Sequence, residues 1–167
     1  MATVLFCTKD DVVRQSSILD GNIDADKLIP SLFHAQTHYL KPILGTDLYD
    51  KFSSEITAGT LADPYLALLK TYVKPILIHA CLAEFLKSCL FTVSSKGVFK
   101  HTSENAETAT TEEVKDLVQV ERDRAESYTE RFLDYMLYNG STFSEWTSNT
   151  GADLKPSKES FNIDWVL

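Results

Sequence analysis

The side chains with the most chemical potential are a histidine pair, three cysteines and one oddly placed carboxylate. His34 and His38 stand four residues apart in His34-Ala35-Gln36-Thr37-His38, which puts two imidazoles on one helix face, where a metal ion could be held. A zinc protease needs a glutamate after the first histidine as its general base, and Ala35 stands there instead. The motif also lacks a third ligand, and Ser31, Thr37 and Lys41 share its side. The pair is therefore read as a solvated helix face without a metal. Cys7, Cys81 and Cys89 are odd in number and contain no Cys-x-x-Cys spacing, so reduced thiols in a cytosolic setting are expected. His79 lies two residues from Cys81, on another helix face, so Cys81 reads as a small buried hydrophobe rather than a nucleophile. Glu121 interrupts an apolar stripe. It can be a paired catalytic carboxylate, a register-fixing device, or the partner of Arg124 or of a lysine on another helix; the last two suit a buried ionic group better. There is no Gly-rich phosphate loop and no Gly-x-Ser-x-Gly elbow. Neither an enzyme nor a cofactor is expected.

These residues sit on helices. Asp24 or Asp26 caps a first helix reaching about Leu40, with Leu28, Leu32, Ala35 and Tyr39 on its apolar face. Pro30 is tolerated only near the first turn, and Pro42 and Gly45 end the helix. Thr46 then caps a shorter helix over 47–56, stopped by Gly59. Asp63-Pro64 opens a long helix continuing to about Phe91, apolar all round near its middle and hence buried on every side, with a kink expected at Pro75. A second long helix starts at a capping box, Thr110 to Glu113. It carries Val114, Val118, Glu121, Ala125, Tyr128, Phe132 and Tyr135 inward and stops at Asn139-Gly140. The two long helices should pack antiparallel.

Between them, residues 92–111 form an arm too long for an ordinary connection, with a short β-hairpin turning at Lys96-Gly97 and a small basic cluster of Lys96, Lys100 and His101. In a free subunit this arm is expected to be mobile, since ordering it costs about 1–2 kcal/mol per residue. After Gly140 the chain reads as an irregular tail studded with Phe143, Trp146, Phe161 and Trp165. The expected fold is all-α: a bundle of two long and two shorter helices over 1–147, then a C-terminal tail over 148–167, with no tandem repeat.

Length and charge limit the function. The 167 residues are enough for one self-sufficient core. With 16 basic against 24 acidic side chains, a net charge of -8, tight sequence-independent phosphate binding is disfavoured. Residues 1–11 lack a basic n-region and are not expected to be a signal peptide, and the apolar stretch 75–86 is too short for a bilayer, so a soluble protein is expected.

The layout resembles a known family. Leu28, Ile29, Ala35 and Gln36, then Leu44-Gly45-Thr46-Asp47-Leu48-Tyr49, a Pro-initiated long helix, Val93-Ser94-Ser95-Lys96-Gly97-Val98 with Ser103-Glu104-Asn105, and a last long helix are similar to the small head–tail connector proteins of tailed bacteriophages, especially phages of gut Bacteroidetes, the crAss-like group included. The likeness spans residues 8 to 140. It implies a structural virion protein at the head–tail junction, made in the host cytoplasm and needing no membrane. About 12 copies would form a ring beneath the portal protein. A tail or further ring protein would bind below, and DNA would pass through the channel without specific contact. Val93, Lys96, Val98, Phe99 and Lys100 of the arm, with Phe143, Trp146, Phe161 and Trp165 of the tail, are the expected contacts to neighbouring subunits or portal. The alternative is a non-viral helical adaptor or regulatory module that binds one partner through its aromatic tail.

Overall fold

Helices begin here where side-chain oxygens take up free backbone N–H groups. In the computed structural model, residues 4–16, 19, 24–89, 91–94, 97–100, 109–151 and 153–157 are described. Helix α1 (Lys9–Gln15) opens with a capping box: Thr8 Oγ1 accepts from the Asp11 N–H at 3.2 Å, and Asp11 Oδ2 accepts from the Thr8 N–H at 3.0 Å. Asp24 Oδ1 accepts from the Asp26 N–H to start α2.

Helix α2 does not end before Pro42. It runs as α-helix over Ala25–Ala35, widens into a π-helical turn over Gln36–Leu40, and resumes over Lys41–Leu44. Pro30 is its sixth residue, beyond the first turn and exposed. In the π turn, the Lys41 N–H donates to Gln36 O, five residues back. That inserted residue lets the chain absorb a proline without the usual collision with the carbonyl four residues earlier. Gly45 (φ 75°) is the true stop, and α3 (Thr46–Ala58) follows, ended by Gly59 in the left-handed region.

The same device recurs in α4, which is α-helical over Tyr65–Leu68, π-helical over Leu69–Val73 and α-helical over Lys74–Cys89. Lys74 N–H donates to Leu69 O, and Pro75 comes next. The sequence carries the echo: Tyr39-Leu40-Lys41-Pro42-Ile43-Leu44 and Tyr72-Val73-Lys74-Pro75-Ile76-Leu77 differ at one position. Asp63 Oδ1 accepts from the Ala67 N–H at the start of α4.

Helix α4 is the central post, as expected. Ile76, Leu77, Ile78, Ala80, Cys81, Leu82 and Ala83 are all buried. The stretch from Tyr65 to Ser88 is long and apolar enough to cross a membrane, contrary to the shorter stretch read from sequence; burial within the bundle accounts for that apolarity. Strands β1 (Phe91–Ser94) and β2 (Gly97–Lys100) pair antiparallel, with Val93 opposite Val98 and Ser94 opposite Gly97. Gly97 therefore belongs to β2 rather than to the turn. Helix α5 (Thr111–Asn139) has the anticipated capping box, with Glu113 Oε2 accepting from the Thr110 N–H at 2.7 Å. It packs antiparallel to α4: Tyr72 stacks on Tyr135, His79 meets Glu121, and Ala83 and Leu86 meet Val114 and Val118. A 3₁₀ turn (Gly140–Thr142) leads into α6 (Ser144–Ser148). The described chain is thus an all-α bundle with one hairpin.

Candidate functional site

The buried polar residues of the two long helices converge. His79 Nδ1 lies 2.7 Å from Glu121 Oε2, and Arg124 donates to Glu121 Oε1 at 2.5 Å. The Tyr128 ring stacks on the His79 ring, 5.4 Å between centres and 7° from parallel, and the Arg131 guanidinium lies 5.5 Å from the Tyr128 ring centre. Glu121 is wholly buried and both its oxygens are occupied, so it has no free face for a substrate. The salt-bridge reading holds, with His79 as the unanticipated second partner. Along α5, Glu121 falls between Ala125 of the main core and Val118 of a small cluster formed with Ala83, Leu86 and Val114 toward the hairpin end.

The histidine pair is on the surface, ring centres 4.2 Å apart. His34 Nδ1 lies 3.6 Å from Glu84 Oε2, and that carboxylate accepts from Lys87 at 2.6 Å and from the Tyr39 hydroxyl at 3.3 Å. Among the described residues, no three His, Cys, Asp or Glu side chains are grouped to hold a metal ion. Burial pushes the thiols of Cys7 and Cys81 up to about 12, keeping both protonated and unreactive at neutral pH. Cys89 ends α4.

The aromatic tail needs correction. Phe143 and Trp146 are buried in the chain's own core, where Phe143 packs on Tyr65 and Tyr135, and the Trp146 indole N–H donates to Ile43 O at 3.2 Å. With both rings enclosed, neither can anchor a neighbour. Past residue 147 the chain continues as a latch over the junction of α2 and α3. The Thr46 N–H donates to Leu154 O at 2.9 Å, the Leu154 N–H to Thr46 Oγ1 at 3.0 Å, and the Ser157 N–H to Pro42 O at 2.9 Å. The Asp47 N–H donates to Asn149 Oδ1 at 3.2 Å, so α3 is capped from 102 residues away and not by Thr46. Gly45 is required twice, for its positive φ and because a Cβ there would meet Pro156 at 2.6 Å. Hydrogen bonds from Lys41 and Thr46 hold the Asp153 carboxyl below its ordinary range. The two echoed lysines thus do matching work: Lys41 binds Asp153 at 3.0 Å in the latch, and Lys74 binds Asp11 at 2.7 Å in α1.

Of the remaining expected contacts, Val93, Val98, Phe99 and Lys100 belong to the hairpin. Lys96, His101, Phe161 and Trp165, with arm residues 95–96 and 101–108, lie outside the described residues. The acids of α5 fall into a pattern. At about 100° per residue, Glu112, Asp116, Asp123, Glu126, Glu130 and Asp134 occupy one stripe about 80° wide, opposite Glu121 and the buried face. All are exposed except half-buried Glu126. The stripe runs along a helix about 43 Å long.

No curated protein and no solved structure matches the chain. A family model described as a family of unknown function (DUF6712) matches residues 40–155, from the end of the first π turn through the latch. The chain belongs to that family.

Proposed function

We propose that the protein is a structural subunit of a tailed-phage head–tail connector. About 12 copies close a ring beneath the portal through head-to-tail contacts around one axis. The role is structural rather than catalytic. The observation that carries this reading is the acidic stripe of α5, which supplies one sign of charge along almost the whole helix, opposite a fully packed face. Lining a channel, such a stripe repels the phosphate backbone and lets DNA slide without sticking. The hairpin supports the reading as well: among the described residues β1 and β2 pair only with each other, leaving two open edges at the far end of the bundle. These edges and the flanking ends of α4 and α5 meet the neighbouring subunit or the portal.

Native mass spectrometry of the purified chain, alone and with purified portal protein, tests the reading. A closed ring, or stoichiometric addition to the portal, is expected. A monomer or dimer that ignores the portal would overturn it and favour a single-partner adaptor.

A further inference from the structure

The connector reading leaves the histidine pair of α2 unused, and the fold supplies the support that the pair lacks as a motif. His34 lies in the last turn of the α-helical part of α2, and His38 lies in the π turn that follows. Positions four apart on a helix hold their Cβ atoms about 5–6 Å apart. These two rings come closer, 4.2 Å between centres and 34° from parallel, and both residues are exposed. The polar neighbours on their side are drawn elsewhere: the Thr37 hydroxyl donates to Phe33 O at 2.9 Å, and Lys41 is held by Asp153.

A supporting carboxylate arrives from α4. Glu84 Oε2 lies 3.6 Å from His34 Nδ1. The other oxygen, Oε1, accepts from Lys87 at 2.6 Å and from the Tyr39 hydroxyl at 3.3 Å, which fixes the carboxylate. The Glu84 side chain is 16% exposed and that of His34 is 45% exposed, so a covered support faces a ring that is open to solvent. Metal-bound imidazoles direct their second ring N–H to such a carboxylate, which sets the tautomer and raises the basicity of the ligating nitrogen. With Nδ1–H turned to Glu84, a neutral His34 ring presents its lone pair at Nε2. An ion about 2.0–2.1 Å from one nitrogen of each ring needs those nitrogens about 3–3.4 Å apart. Exposed rings with centres 4.2 Å apart reach that spacing by side-chain rotation.

We propose that His34 and His38 bind a divalent transition-metal ion of the imidazole-preferring class, Cu²⁺ ahead of Zn²⁺, with Glu84 as the positioning residue for His34. Two ring nitrogens and water make up the ion's shell; Glu84 acts on the ring and not on the ion. The same donor set excludes Mg²⁺, which demands oxygen ligands. A bound ion clips the α-helical part of α2 to its π turn. The inference does not depend on ring assembly, because all three residues belong to one chain.

The test is isothermal titration of the full chain with CuCl₂, ZnCl₂ or MgCl₂ in a non-coordinating buffer at neutral pH, with proton NMR of the imidazoles alongside. One saturable equivalent of Cu²⁺, weaker binding of Zn²⁺ and none of Mg²⁺ are expected, with Cu²⁺ broadening the His34 and His38 resonances first. His38→Ala, an exposed change whose fold is checked by circular dichroism, should abolish that equivalent. Glu84→Gln keeps both ligands and should retain the equivalent with about tenfold weaker affinity. An absence of saturable binding, binding unchanged in His38→Ala, or broadening that spares both histidines would overturn the site. An affinity unchanged in Glu84→Gln would overturn the positioning role.

Discussion

Where Tyr65 meets Phe143, aromatic rings touch in sequence from Phe52 through Tyr65 and Phe143 to Tyr135 and Tyr72, and Trp146 closes over Phe132. Where Leu86 meets Val114, at the other end of the same helix pair, Ala83, Leu86, Val114 and Val118 form a small separate cluster among the described residues. The first end is fastened by contacts between residues about a hundred positions apart, Trp146 to Ile43 and Asn149 to Asp47 among them. Among the described residues the second end holds this small cluster and leads into the hairpin. Dense long-range packing opens only with the whole fold, whereas a small satellite cluster can open locally. The latched end is fastened by long-range contacts, and under the connector reading proposed above the hairpin end is where a neighbour would dock.

The sharpest way to break this contrast is a pair of truncations. Trp146→Ala should cost about 3–5 kcal/mol and Leu86→Ala about 2 kcal/mol, read as shifts in equilibrium urea unfolding. Equal costs would erase the difference between the ends. The polar layer gives a smaller effect. Glu121→Ala strands the buried His79 ring nitrogen, while Arg124, with its side chain 47% exposed, regains water; the expected loss is about 1–3 kcal/mol. The double variant His79→Phe with Glu121→Met removes both partners and should cost less than Glu121→Ala alone. A larger cost for the double variant would show that the pair stabilises the bundle outright rather than fixing its register.

Acid should have the smallest effect. Burial alone would raise the Asp11 carboxyl, but hydrogen bonds from Lys74 and Thr8 outweigh it and hold the group low. Glu145 is likewise lowered despite burial, by the Tyr65 hydroxyl and by Lys51. A carboxylate lowered in the folded state adds stability above its unfolded pKa, and that stability is lost as pH falls through the folded value. The urea midpoint should therefore drift down as pH falls from about 5 to about 3. Asp11→Asn should flatten part of that drift; an unchanged slope would remove the Lys74 contact from the account.

What the sequence made legible was local chemistry. The Thr110–Glu113 capping box, the Gly59 stop and the all-round apolar middle of α4 each act within a few residues, and each lies where the pattern puts it. Pro42 misleads because its usual clash is relieved by a π turn, a backbone change that single-residue propensity does not carry. The clue was the repeated Tyr-Leu/Val-Lys-Pro-Ile-Leu hexapeptide, visible only when two distant stretches are compared. Trp146 reads as an exposed anchor because its partners, Ile43 and Phe132, are elsewhere in the chain. The Asn149 cap spans 102 residues and has no local signature at all. For Glu121 the sequence offered Arg124 as one of several readings, but not His79 as a partner, since nothing in either helix alone sets their mutual register.

Amide hydrogen exchange, comparing the free subunit with the subunit assembled on portal protein, addresses the difference between the two ends most directly. Protection should rise on assembly at residues 91–100 and 111–120, while the amides of Thr46, Asp47 and Leu154 stay as slow as they were in the free chain. New protection confined to the latched end, with the hairpin unchanged, would contradict the account.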